Sequence, residues 1–178
     1  EFNKDASLAA CNALIGLADG EILHNFRHLC LYVVEVLKHH GHDERPLLAA
    51  CQLIVELSED HICVQNFSAS DVSQYIIMYI PIHTKSVVVE CALFEAGIAV
   101  TRSNEENCAA FADDGILMVF TDLLGIYASN ETVVTKLCLL VASITKTNKK
   151  TKQVFTDSSC DTPVIDLSIY FECAASFY

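Results

Sequence analysis

The densest group of possible metal ligands in the sequence lies at residues 39–44. His39, His40 and His42 are followed by Asp43 and Glu44. Zinc sites use such side chains, but they need three or four of them converging on one point with defined spacing. Here the histidines lie where an apolar helix is expected to end, and imidazole there interacts favourably with the negative end of the helix dipole. The sequence therefore favours a helix end over a metal centre, and we predict neither a metal nor a cofactor.

Nucleophilic or acid–base catalysis finds little support in the sequence. Cysteine and histidine are both numerous, yet no spacing marks a nucleophile with its base. The sequence has no glycine-rich phosphate loop, HExxH or nucleophile elbow. Asp113 and Asp114 are adjacent, and adjacent side chains point apart on a helix, so they better suit a helix N-terminus. We predict a protein without catalytic activity.

Cysteine usage indicates the compartment. The nine cysteines are dispersed, odd in number and mostly embedded in apolar helical patterns, and no CxxC occurs. A secreted disulfide scaffold is smaller and richer in loops, whereas reduced cysteines serve as small buried side chains. We predict a reducing compartment, the cytoplasm, with the nucleus as the alternative. The longest uncharged apolar run, residues 72–84, is too short to span a bilayer, and no signal-peptide pattern opens the chain.

Composition narrows the class of protein further. The chain has 178 residues, of which 52% are hydrophobic and 19% charged. Such a composition argues against intrinsic disorder and against a coiled coil. The formal net charge is −12, which argues against a general nucleic-acid binder because such proteins need lysine and arginine to displace counterions from phosphates.

The elements that must position any site are helices. Apolar residues recur at spacings of three and four, which is the period of a helix and not of a strand. Further apolar helices are expected at residues 31–37, 75–80, 116–124 and 164–171. We predict an all-α chain. The four main stripes are Leu8, Cys11, Ile15 and Ala18; Leu48, Cys51, Ile54 or Val55, and Ser58; Val87, Cys91, Phe94 and Ile98; and Val134, Leu137, Leu140 or Val141, and Ile144.

The stripes belong to a repeat. Cys11, Cys51 and Cys91 lie at steps of 40 residues, and the phenylalanines that follow the stripes are 41, 44 and 44 residues apart. HEAT and armadillo arrays have this period. A unit of this size cannot fold alone, but stacked units bury both faces of their inner helices. The alternative is an irregular helical bundle with chance spacings. The phenylalanines are Phe26, Phe67, Phe111 and Phe155.

The third unit resembles the armadillo repeat. The residues that carry the resemblance are VVVECAL at 87–93, SNEENCAAF at 103–111, and DGIL at 114–117. In that family a long third helix ends in an Asn-Glu-Glu-Asn turn, and a Gly-Ile opens the next helices; here Phe111 replaces the usual Ile. We expect Gly115 to cap one helix and turn the chain, and Asn104 and Asn107 either to bond free helix-end amides or to adopt a left-handed backbone.

The resemblance implies a single right-handed α-solenoid of about four armadillo-like repeats. Their approximate bounds are 5–43, 44–85, 86–130 and 131–178. The chain is expected to start within the third helix of one repeat and to end partway through another, as a segment of a longer armadillo-repeat protein would.

In function, the resemblance implies a scaffold that binds a protein or peptide in a concave groove lined by third helices. Nuclear import adaptors of this family carry Trp and Asn on successive third helices. The Trp positions here hold Asn12, Gln52 and Ala92, and the Asn positions hold Gly16 and Glu56. Recognition of nuclear localisation signals is therefore not expected. The strongly basic beta-catenin-like groove also differs from this acidic chain.

The acidic excess suggests the chemistry of a partner. The four units carry −3, −3, −6 and zero net charge. Acidic side chains on or near the third helices would attract a basic partner if they face the groove; the alternative is a solvated face that keeps an apolar protein soluble. The candidate partner-binding residues are Asn12, Gln52, Glu56, Glu59, Glu90 and Glu95.

Two features near the C-terminus have alternatives of their own. The lysines at 146, 149, 150 and 152 could bind phosphate or an acidic partner, or they form a solvated turn that complements a helix dipole. The apolar stretch with Ile169, Tyr170 and Phe171 has no following partner. It motivates an alternative function, a structural element that self-associates through an apolar end of the solenoid.

Overall fold

The computed structural model describes residues 3–17, 27–111 and 114–147. These residues form nine α-helices and contain no strand, which confirms the predicted all-α class. The four main apolar stripes lie in the first, third, sixth and ninth helices, although Ala18 and Ser58 lie beyond the described helices. The helix predicted at 164–171 lies outside the described residues. The helices are α1 (Lys4–Leu17), α2 (Cys30–His40), α3 (Glu44–Leu57), α4 (His61–Ala69), α5 (Val72–Tyr79), α6 (Val87–Thr101), α7 (Glu105–Ala110), α8 (Asp114–Ile126) and α9 (Glu131–Thr147).

The long helices pack in succession. Helix α1 contacts α3, α3 contacts α6, and α6 contacts α9. After α3 the chain forms a shorter helix and then a second one before α6, and the same order recurs between α6 and α9. Helix α2 packs against α3, α4 and α5. The long helices therefore make one row, and the intervening helices cover part of it.

Helix α6 shows why the chain is so apolar. Val89, Leu93, Phe94, Ala96 and Val100 are all fully buried, because the helix has α3 on one side and α9 on the other. A helix that packs on both sides needs apolar residues around most of its circumference. The composition thus follows from the row of helices.

Polar side chains cap the N-termini of several helices. Asn104 precedes α7 and its Oδ1 accepts a 2.8 Å hydrogen bond from the amide of Asn107, as predicted. Asn130 accepts in the same way at the start of α9. Asp60 starts α4 by accepting from the amide of Ile62, and its other oxygen binds the Arg27 guanidinium at 2.7 Å. Each cap satisfies an amide that has no partner within its helix.

Two expectations about this region are corrected. Gly115 is the second residue of α8, so it lies within a helix and does not make the turn. The Asn107 side chain is buried and does not bond a free helix-end amide. Its amide donates to the carbonyl of Val100 at 2.9 Å, and its oxygen accepts from the Ser73 hydroxyl at 3.0 Å. Asn107 therefore joins α5, α6 and α7.

Hydrogen bonds between residues about 42 positions apart join successive parts of the chain. The Tyr79 hydroxyl donates to the carbonyl of Leu37 at 2.8 Å, and His83 Nε2 lies 2.9 Å from the carbonyl of Gly41. Thr101 and Ser143 share a 2.9 Å hydrogen bond between α6 and α9. The separation in sequence matches the predicted repeat length.

Two glycines allow a side chain from another part of the chain to lie close to the helix backbone. A Cβ at residue 41 would lie 2.1 Å from Cζ of Tyr79, so no side chain fits there. A Cβ at residue 97 would lie 2.9 Å from Cδ1 of Leu140, because α6 and α9 pack closely at this point. Only glycine permits such contacts without displacing a neighbour.

The repeated residues lie mostly in the core. Phe67 and Phe111 are fully buried, whereas Phe26 and Phe155 lie outside the described residues. All seven cysteines of the described segments are free thiols, and five of them are buried. None of the helices in those segments combines the length and apolarity that crossing a membrane requires.

Candidate docking groove

A groove opens along the row of long helices, on the side formed by α3, α6 and α9. It encloses about 780 Å³, which lies within the range of known ligand sites. Most of its lining comes from α3 and α6, and α9 closes one side. The lining residues are Leu48, Cys51, Gln52, Val55, Glu56, Val87, Val88, Cys91, Ala92, Glu95, Thr132 and Lys136.

The repeat places equivalent residues in this groove. Cys51 of α3 and Cys91 of α6 are 40 residues apart and both line it. The same step relates three further pairs of lining residues, so both helices present the same face. These pairs are Leu48 with Val88, Gln52 with Ala92, and Val55 with Glu95.

The apolar part of the groove is open to solvent. Val88 is 64% exposed and Val87 is 36% exposed, and Leu48 is half-buried on the facing helix. Branched apolar side chains on a helix face are normally buried against a neighbouring element. Here they form an apolar surface that a bound segment could cover.

The charged part of the groove contains two carboxylates and one ammonium group. Glu95 of α6 forms an ion pair with Lys136 of α9. Glu56 of α3 has no ion pair or hydrogen bond through its carboxylate among the described residues. The groove therefore presents one carboxylate whose charge is not neutralised.

The thiols of the groove have no histidine beside them among its described lining residues. Cys91 is the part-exposed thiol of the groove, and burial raises the pKa of that thiol above its ordinary value, which disfavours the thiolate. No histidine lines the groove within the described part of the chain, so the thiol has no base beside it there. The arrangement suits non-covalent binding.

Three of the six candidate residues meet in the groove. Gln52, Glu56 and Glu95 line it. Asn12 is exposed on α1, the next helix of the row, and is not part of the lining. Glu59 is exposed in the turn after α3, where its carboxylate lies 3.7 Å from the Arg102 guanidinium. Glu59 therefore lies outside the groove lining.

Glu90, the sixth candidate residue, also lies outside the groove lining. It is fully buried within the described structure, and neither of its carboxylate oxygens has a hydrogen-bond partner. Burial raises the pKa of this carboxyl to about 8, because the ionised form loses its hydration. A 40-residue step relates Glu90 to Ala50 of α3, which is fully buried. Glu90 thus occupies a core position.

Sequence reasoning missed the residues that give the groove its apolar surface and its cation. In the sequence, Val87 belongs to the third apolar stripe and Val88 to the armadillo-like segment at 87–93. Both are exposed because no element of the described structure covers them. The signal that could have found Val88 is its 40-residue relation to Leu48. The signal for Lys136 is the 44-residue step from Phe111 to Phe155, which relates Lys136 to Ala92 and Thr132 to Val88.

The histidine group near the end of α2 does not converge on one point. His39 Nε2 lies 3.3 Å from the Glu35 carboxylate, and the His42 ring meets the Tyr79 ring edge-on at 5.4 Å. Within segments 3–17, 27–111 and 114–147, no three His, Cys, Asp or Glu side chains could hold a metal ion. Lys146 lies in the last turn of α9.

Most of the lysine cluster, at 149, 150 and 152, lies outside the described residues, as do Ile169, Tyr170 and Phe171. Comparison of the chain with protein-family models, with curated proteins and with solved structures gave no match. Function is therefore inferred from the groove itself.

Proposed function

We propose that the chain is a non-catalytic protein-interaction module that binds a segment of a partner protein in the groove of α3, α6 and α9. In this proposal α1, α3, α6 and α9 are the inner helices of an armadillo-type α-solenoid of about four repeats. The free thiols support a reducing compartment, the cytoplasm or the nucleus.

Several observations support the solenoid. The main contacts among the long helices of the described segments run in order along the chain, as they do between neighbours in a one-dimensional array. Equivalent residues of α3 and α6 line the same groove. The hydrogen bonds of Tyr79 and Thr101 span 42 residues each, about one repeat.

The observation that carries the function is the exposed apolar surface within a concave site. Val88 is exposed in the first turn of α6 and lines the groove together with half-buried Leu48 and the carboxylates of Glu56 and Glu95. Exposed apolar patches rimmed by polar groups mark interaction sites in soluble proteins. A cleft of this kind without converging catalytic groups fits binding better than chemistry.

Site-specific photo-crosslinking tests this function. A photoreactive residue at position 52 lies in the groove, and one at Asp122, exposed on α8, lies outside its lining. We expect a discrete partner to crosslink from position 52 and not from 122. The Val88→Arg substitution should abolish that product, because it places a long charged side chain in the apolar part.

Equal capture from both positions, or capture from position 52 that Val88→Arg does not change, would contradict the proposal. Circular dichroism of each variant checks that the helices are retained. Because Val88 is 64% exposed, its replacement should leave the fold intact.

A further inference from the structure

We infer that the groove recognises a partner segment in which an apolar side chain and a lysine or arginine lie within about four residues of each other. The cation pairs with Glu56, and the apolar side chain covers Val88 and Leu48. This inference rests on the proposed function and names the partner's chemistry.

The position of the cation follows from the existing ion pair. Lys136 already neutralises Glu95, so a partner's positive charge gains little there. Glu56 is half-buried on the groove lining and has no ion pair among the described residues. A charge that is partly shielded from solvent attracts an opposite charge more strongly than a fully exposed one. Glu56 is therefore the groove's specific cation site.

The position of the apolar side chain follows from exposure. Val88 and Leu48 are equivalent residues on adjoining helices, and both line the groove. Covering them removes apolar surface from water, which is worth about 25 cal/mol per Å². An isolated positive charge placed there would instead lose hydration without a partner.

The distance between the two positions sets the spacing in the partner. Leu48 and Glu56 are eight residues apart on α3, which corresponds to about 12 Å along a helix axis. About four residues of extended chain cover that length. Lysine and arginine side chains also reach several ångström, so shorter spacings are compatible.

Other partner chemistries fit less well. An acidic segment would meet the unneutralised Glu56 on a chain of net charge −12, and like charges in an interface disfavour binding. A purely apolar segment would cover Glu56 without a partner for its carboxylate, which carries a desolvation penalty. A basic segment without apolar residues would leave Val88 exposed.

Fluorescence anisotropy with three pools of labelled, amidated 12-residue peptides tests the inference on the full chain. The first pool combines lysine with leucine or phenylalanine, the second replaces lysine by glutamate, and the third replaces the apolar residues by serine. We expect the first pool to bind at least about tenfold more tightly than either other pool, since each lacks one of two contacts worth about 1.4 kcal/mol or more.

Substitutions at Glu56 test whether this residue makes the contact with the peptide's cation. Glu56→Gln should weaken the first pool about fivefold and Glu56→Lys more than tenfold, because the second change makes the contact repulsive. Asp122→Lys makes the same charge change on exposed α8 and should alter binding less than about twofold. Added salt should weaken binding to the parent protein more than to Glu56→Gln.

Equal binding of the first and third pools, preference for the acidic pool, binding that Glu56→Lys leaves unchanged, or no binding by any pool would each overturn the inference. These outcomes are separable from failure of the proposed function. A partner that crosslinks from position 52 in a Val88-dependent manner would still support the docking groove, while its contact segment would show a different chemistry.

Discussion

The Tyr79 hydroxyl at the end of α5 donates a 2.8 Å hydrogen bond to the carbonyl of Leu37 near the end of α2, 42 residues earlier. Both residues are fully buried or nearly so. Tyr127, just after α8, makes the same kind of bond to the carbonyl of Thr84, 43 residues earlier. Twice in the described structure, a tyrosine at or just after a helix end thus bonds a carbonyl 42 or 43 residues earlier.

Replacing Tyr79 by phenylalanine should therefore weaken the fold modestly. The carbonyl of Leu37 keeps the hydrogen bond from the amide of Gly41, so no buried acceptor is left without a partner. We expect a loss of about 1 kcal/mol in the free energy of unfolding, measured by urea denaturation. Tyr75→Phe is the matched control, and an equal loss in both variants would contradict the role of this bond.

A methyl group at position 41 should be much more harmful. In Gly41→Ala the added Cβ would lie 2.1 Å from the Tyr79 ring, which must then move out of the buried contact. We expect a loss of about 1–3 kcal/mol, as in other overpacked cores. Gly125→Ala is the control, because nothing lies within 4 Å of its added Cβ. It should be neutral or stabilising by up to about 1 kcal/mol, and similar thermal shifts in both variants would sink the prediction.

Glu90 should make stability depend on pH. Its pKa is raised to about 8 in the fold from an ordinary value of 4.5, so the folded chain holds a proton that the unfolded chain releases between these values. The contribution of Glu90 to the free energy of unfolding is therefore greatest below about pH 4.5. It falls as pH rises towards 8 and stays constant above that pH. Glu90→Gln removes the effect.

We therefore expect Glu90→Gln to be more stable than the parent at pH 8 by the order of a few kcal/mol, with the difference vanishing near pH 4.5. Urea denaturation across this range measures it. Asp122→Asn, exposed on α8, should follow the parent's pH profile. A constant difference between Glu90→Gln and the parent at every pH would show that the buried carboxyl does not titrate as described.

Thiol reactivity should follow burial. Cys91 and Cys138 are partly exposed, whereas the other described cysteines are buried. Burial also raises the pKa of Cys91, so alkylation should be slow at pH 7 and accelerate as pH rises. Mass spectrometry of alkylated peptides should find these two residues modified before Cys51. A bound basic-apolar peptide should protect Cys91, and faster modification of Cys51 would contradict the described packing.

Much of the helical content could be predicted because it depends on local periodicity. The apolar stripes located α1, α3, α6 and α9. The 40-residue step singled out Gln52 as a candidate, and Gln52 lines the groove. Glu90 lies outside the groove lining, and its register could have shown this. It directly precedes the groove-lining Cys91, and one position along a helix turns the side chain by about 100°. Glu59 follows the end of α3 at Leu57, and helix ends depend on tertiary contacts that the local pattern does not contain.

The close contact at Gly97 lies next to the ion pair between Glu95 and Lys136 in the groove. The absence of a side chain at this buried position lets α9 approach α6, and Glu95, two residues earlier, reaches Lys136 across the same gap. Helix spacing and the neutralisation of Glu95 are thus set together. In the docking proposed above, a wider gap would leave Glu95 without its cation and would add a second unneutralised carboxylate to the groove. Partner preference would then depend on a buried residue that the partner does not touch.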